Sequence, residues 1–134
     1  MIPKFRAWDV HEKKMFTNDQ LIIWNGNVYA NDNSKLNVDN LKGWNIDEKY
    51  LMQSTGLFDK NGKEIFEGDI VKYKAGCNTF TEEVAYDKIF AGFGVKDANA
   101  NIIFTFGELA EDIDLRSLEV IGSIYENPEL LEGE

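Results

Sequence analysis

A chain of 134 residues, 43% of them hydrophobic, can bury one core but not two ordinary ones, so a single domain over 1–134 is expected. The formal charge of −10 opposes non-specific attachment to nucleic acid or to an anionic membrane. No apolar run is long enough for a membrane helix, no secretory pattern follows Met1, and the single cysteine, Cys77, excludes an internal disulfide or a thiolate zinc site, so a cytoplasmic protein is expected.

In chain order, Lys4 to Asp9 reads as a short strand, Val10 to Lys14 as a polar loop, and Met15-Phe16 as the return of a hairpin. Leu21 to Trp24 and Asn27 to Ala30 flank Asn25-Gly26, the pair preferred in a type I′ turn, and predict a second hairpin. Asn31 to Glu48 is rich in Asn and Asp, with Leu36, Val38, Leu41, Trp44 and Ile46 as its few apolar anchors. It reads as a loop or irregular excursion. Tyr50 to Gln53 leads as a strand into Thr55 to Tyr73, where Asn61-Gly62 and Glu67-Gly68-Asp69 mark two reversals and Ile70 to Tyr73 alternate as a strand.

Ala75 to Asn78 reads as a loop, Glu83 to Tyr86 as a strand, and Ile89 to Lys96 as a strand in which Gly92 and Gly94 predict a bend or bulge. Asp97 to Asn101 is a turn and Ile102 to Phe106 a strand. Glu108 to Leu118 is a polar stretch with room for one helical turn, and Val120 to Tyr125 is a closing strand. Asn127-Pro128-Glu129 carries an N-cap residue, a first-turn proline and an early carboxylate, which predict a short terminal helical turn. Short strands about every ten residues, separated by glycine-rich turns, favour a small barrel or sandwich over an α/β fold.

Patterns that carry chemistry are sparse. His11, the only histidine, lies in a charged loop far in sequence from Cys77 and reads as solvated. Ser123 lacks the glycine frame of a nucleophile elbow and reads as a packing residue. Gly92-Phe93-Gly94 has no following helix to hold a pyrophosphate, and Asp32-Asn33-Ser34 and Asp59 to Gly62 miss the calcium-loop spacing. Glu111, Asp112 and Asp114 form an acidic run whose simplest reading is a hydrated loop.

Three blocks carry a family signal: Lys4-Phe5-Arg6-Ala7-Trp8-Asp9, the stretch from Leu51 to Tyr73, and Glu119-Val120-Ile121-Gly122-Ser123-Ile124-Tyr125-Glu126-Asn127-Pro128-Glu129-Leu130-Leu131. In order and spacing they resemble the YopX family of bacteriophage and prophage proteins. The resemblance implies a small phage-encoded cytoplasmic protein, and it implies no reaction and no catalytic residue set.

The expected architecture is mainly β: N-terminal hairpins and a polar loop over 1–54, a small SH3-like barrel over 55–126, and a C-terminal turn over 127–134. The expected role is a non-enzymatic accessory module, with no cofactor. It would bind a host or phage protein, or a second copy of itself, with Phe90 and Phe93 as candidate contacts beside flexible glycines. An acidic surface imitating DNA is a variant of that role. A second reading is nucleic-acid binding by a face of Lys60, Lys63, Lys72 and Lys74, although lysines on strands more often discourage edge pairing. A third is a metal-assisted hydrolase built from Asp69, Glu111, Asp112 and Asp114.

Overall fold

The computed structural model describes residues 2–30 and 44–132. The chain is mainly β and divides into two compact units, Met1–Gln53 and Ser54–Glu134, with the division falling inside one strand.

In the first unit, β1 (Phe5–Asp9) pairs antiparallel with β2 (Lys14–Phe16) on one side and with the start of β6 (Leu51–Phe58) on the other. β3 (Leu21–Trp24) and β4 (Asn27–Ala30) form the predicted hairpin. Asn25 and Gly26 both take positive φ, 50° and 78°, as a type I′ turn requires. β4 then pairs with β5 (Trp44–Ile46). Here the expected loop is corrected, because Trp44 to Ile46 extends the ladder. The rest of the predicted excursion, 31–43, with Leu36, Val38, Leu41 and the Asp32-Asn33-Ser34 triplet, lies outside the described residues. Among the described residues, its core holds Ala7, Phe16, Val28, Ala30 and Ile46, with Leu21, Tyr50 and Leu51 against it.

In the second unit, the end of β6 pairs with β7 (Glu64–Phe66) across an irregularity at Gly56, whose φ is +80°. A five-stranded antiparallel sheet follows, in the order β11-β10-β9-β8-β12. Its members are β8 (Asp69–Ala75), β9 (Asn78–Asp87), β10 (Gly92–Asp97), β11 (Ile102–Thr105) and β12 (Glu119–Ser123). β9 pairs with β8 through residues 78–83 and with β10 through residues 83–87, so one long strand hands the ladder diagonally from one neighbour to the next. That stagger curls the sheet into a half-barrel. Ile65, Val71, Tyr73, Val84, Val95, Phe106 and Leu118 fill the hollow.

Local chemistry explains the departures from expectation. β9 is ten residues long because the β8–β9 reversal is tight: only Gly76 and Cys77 connect the strands, with Gly76 at φ +63°. The predicted loop over 75–78 therefore shrinks to two residues, and Cys77 is exposed at its tip. Of the two strand glycines, Gly94 is required by a close approach. A Cβ there would stand 2.1 Å from the Phe104 carbonyl oxygen and 2.6 Å from the Thr105 Cα. Gly92 has ordinary room. Phe106 leaves the predicted strand and starts the short helix α1 (Phe106–Leu109), which Thr105 and Glu108 cap reciprocally. The C-terminal turn, Pro128–Leu131, is a 3-10 turn that Asn127 does not cap through its side chain. The Asn127 carboxamide oxygen instead accepts from the Ser123 N–H at 3.3 Å.

Candidate functional site

Three surfaces hold the chemistry-bearing side chains. The first is the β9–β10 reversal, where the predicted strand over 89–96 begins late and residues 88–91 form the connection. Asp87 organises it, its Oδ1 accepting from the Ile89 N–H at 2.8 Å and the Phe90 N–H at 3.4 Å. Ala91 completes the reversal at φ +52°, a left-handed conformation that few residues other than glycine adopt. This leaves Ile89 87% and Phe90 70% exposed at a tightly built tip. Phe93 is placed differently. It is half-buried against the core and meets Tyr86 edge-on, with ring centroids 5.2 Å apart. Ile89, a further candidate anchor, was hidden in the sequence by the run of strand-like residues after it; the turn-forming Asp87 two positions earlier is the signal that exposes it.

The second surface is a groove of about 290 Å³ lined by Lys60, Lys72, Tyr73, Lys74, Thr79, Ser117 and Glu119. Three of the four lysines singled out in the sequence converge here, and Lys63 is not among the lining residues. Lys72 and Lys74 come from the solvent face of β8, directly opposite Thr81 and Thr79 of β9. Lys60 comes from the turn between β6 and β7, and Asp59 fixes that turn. Its Oδ1 accepts from Asn61 and Lys63 N–H groups at 2.9 and 2.8 Å, and its Oδ2 accepts from the Val120 N–H on β12 at 2.9 Å. A main-chain bond from Lys60 N–H to the Leu118 carbonyl, 2.8 Å, closes the same junction. Burial alone would push the Asp59 carboxyl up. The donors from Val120, Lys63 and Asn61, with the Lys63 charge, hold it below its ordinary value. At the groove, Lys60 pairs with Glu119 at 3.3 Å, whereas Lys72 and Lys74 have no ion-pair partner among the described residues.

The third surface belongs to the first unit, a cleft of about 640 Å³ lined among others by Asp9, His11, Glu12, Asp47 and Glu48. His11 is exposed there. Two of the carboxylates are engaged with the main chain: Asp9 accepts from the His11 and Glu12 N–H groups and Asp47 from Lys49 N–H.

The remaining singled-out residues are dispersed. Asp69 is buried beneath the Glu67-Gly68 turn, with Oδ2 accepting from Phe66 N–H at 2.8 Å. Asp114 pairs with Arg116 at 3.2 Å in an exposed turn. Among the described residues no three His, Cys, Asp or Glu side chains are grouped to hold a metal ion. Ser123 is buried, its hydroxyl donating to Glu126 at 3.1 Å. On the hollow face of the sheet, Tyr73 donates to Glu82. Burial, and then the nearby charge of Asp97, push the Glu82 carboxyl up against that hydrogen bond.

Comparison with known proteins agrees with the three sequence blocks. The family model for YopX protein matches residues 4–132. The crystal structure of protein EF1440 from Enterococcus faecalis is 34% identical, with a TM-score of 0.56 over 98% of this chain and 99% of that one. Protein YopX from Bacillus subtilis is 24% identical and shares the fold, with a TM-score of 0.63 over 96% of this chain and 97% of that one. Curated proteins yield no match. The chain belongs to the YopX family.

Proposed function

We propose that this chain is a non-enzymatic accessory module that binds a host or phage protein, with the Ile89-Phe90 tip as its anchor. The phage or prophage origin and cytoplasmic setting implied by the family resemblance belong to the same reading. So does the use of the curled sheet as an SH3-like scaffold that presents its loops. The observation that carries the proposal is the exposure of two large apolar side chains, Ile89 at 87% and Phe90 at 70%, on a reversal whose main chain Asp87 holds by hydrogen bonds. Burying such a side chain is worth about 1.5–3 kcal/mol. A tip whose main chain is already held loses less conformational freedom when it docks, which lowers one of the costs of binding. The partner that fits is a protein with an apolar pocket deep enough for a phenyl ring.

The test is parallel capture from nuclease-treated lysate of a phage-infected host, using wild-type protein and the double variant Ile89→Ser, Phe90→Ser. The proposal expects at least one protein retained by the wild type and lost by the variant. Identical captures from the two proteins would sink it.

A further inference from the structure

We infer that the lysine groove of the second unit is a binding site for a single phosphate group, carried by a small phosphomonoester or present as free phosphate. Three observations converge. The first is charge: three lysines stand against one glutamate in a chain whose formal charge is −10, and that glutamate is already paired with Lys60 at 3.3 Å. Lys72 and Lys74 form no ion pair among the described residues, although Glu119 stands opposite Lys72 on β12. The second is the supply of other polar groups. Thr79 contributes a hydroxyl able to donate to a phosphate oxygen, whereas the Ser117 proton is already given to the Asp114 carbonyl at 2.6 Å. The main chain adds to this. The two-residue Gly76-Cys77 connection makes Ala75 and Asn78 a hydrogen-bonded pair, so the alternation of the ladder turns the Lys74 main-chain groups away from β9. β12 begins opposite Lys72, at Glu119, and no strand residue faces Lys74 on that side.

The third observation is size and rigidity. About 290 Å³ falls just below the range of small-ligand pockets, about 300 to 1,000 Å³, and leaves room for a small group. Asp59 and the Lys60 main chain tie the β6–β7 turn to β12, so the main-chain positions that carry Lys60 and Glu119 are held relative to each other. A polymer fits less well. Successive phosphates of a nucleic-acid strand would extend beyond the groove over a chain whose formal charge is −10, whereas one phosphate meets the three lysines alone. This favours a single monoester over the nucleic-acid face expected from the same lysines.

The experiment is a titration of the ¹⁵N-labelled full chain at constant ionic strength with inorganic phosphate, adenosine 5′-monophosphate, adenosine, and a single-stranded oligonucleotide without terminal phosphate. The inference expects saturable shifts at Lys72, Lys74, Thr79 and Ser117 amides with the first two probes and none with adenosine. Equal affinity for inorganic phosphate and the monophosphate would mean that the phosphate group alone is read; tighter monophosphate binding would mean that the organic part also contributes. Lys72→Gln with Lys74→Gln weakens binding by roughly tenfold or more, and Lys63→Gln leaves it unchanged. No saturable shift with either phosphate, equal shifts with sodium chloride, or preferential binding of the oligonucleotide overturns the inference.

Discussion

Two residues, Asp59 and Gly94, set more of this structure than their size suggests. Asp59 is buried, accepts three main-chain N–H groups and ties a turn to a strand 61 positions later. Because its folded pKa lies below the ordinary 3.8, its ionised form contributes stability that is fully present above that value and is lost as pH falls through the folded pKa. Asp59→Asn should therefore cost about 1–3 kcal/mol at neutral pH, read as a lower urea midpoint, with the gap to wild type narrowing below pH 3.8. A gap that stays constant down through that range would show that the carboxylate charge is not what holds the junction. Gly94 acts by leaving a space unfilled. Gly94→Ala forces a methyl into main-chain atoms of β11 and should destabilise by about 1–3 kcal/mol or more in thermal or urea melts, whereas Gly92→Ala should cost less. Neither role is readable from the residue alone. The sequence shows an aspartate before Asn-Gly and a glycine in a strand, but the partner that gives each its importance, Val120 or Phe104, is distant in the chain.

Elements were legible where their information is local. The β3–β4 hairpin follows from Asn25-Gly26, and the turns at Gly62 and Gly68, with φ of +80° and +82°, follow from the residues that tolerate them. Boundaries fared worse. β9 extends from Asn78 because its partner β8 continues through Ala75, and that pairing overrides the loop-like look of Asn78 and Thr79. Trp44 to Ile46 became a strand because β4 offers a free edge to it. The candidate sites divide in the same way. Phe90 was legible as an exposed aromatic near glycines, while Phe93 owes its half-buried position to the inward face of β10. Lys72 and Lys74 share a face by the simple alternation of a strand, and only the folded β6–β7 turn brings Lys60 beside them. Since Ile89 and Phe90 are exposed, the Ser double variant used for capture should melt within about 0.5 kcal/mol of the wild type. A larger loss would show that the tip supports the fold and would remove its interpretation as a free anchor.

At the scale of the whole molecule, the two units differ in the apolar side chains that their described residues bury. The first has a core with two alanines among its five buried members. The second has seven buried members, two of them aromatic, with a further ring of partly buried residues. Local stability follows such differences. Amide exchange should therefore be roughly tenfold or more slower at Val71, Val84 and Val95 than at Val28 and Ile46 in native buffer. Equal protection at both sets would mean that the chain opens only as one cooperative body. Turn spacing foretold a mainly β chain and composition its negative charge, but neither foretold this asymmetry, which depends on which of the many small and large apolar residues the topology gathers.

Cys77, the chain's single thiol, is exposed at the tip of the β8–β9 reversal, three residues beyond Lys74. A unique chemical handle thus lies in the connection that follows the strand carrying Lys72 and Lys74. A maleimide dye attached there needs no engineered cysteine and replaces none of the groove's side chains, so its emission can report ligand entry and drug-like competitors in the unaltered sequence. The same thiol invites chain-to-chain crosslinking in air, and a reductant belongs in every buffer in which the molecule's size is to be measured.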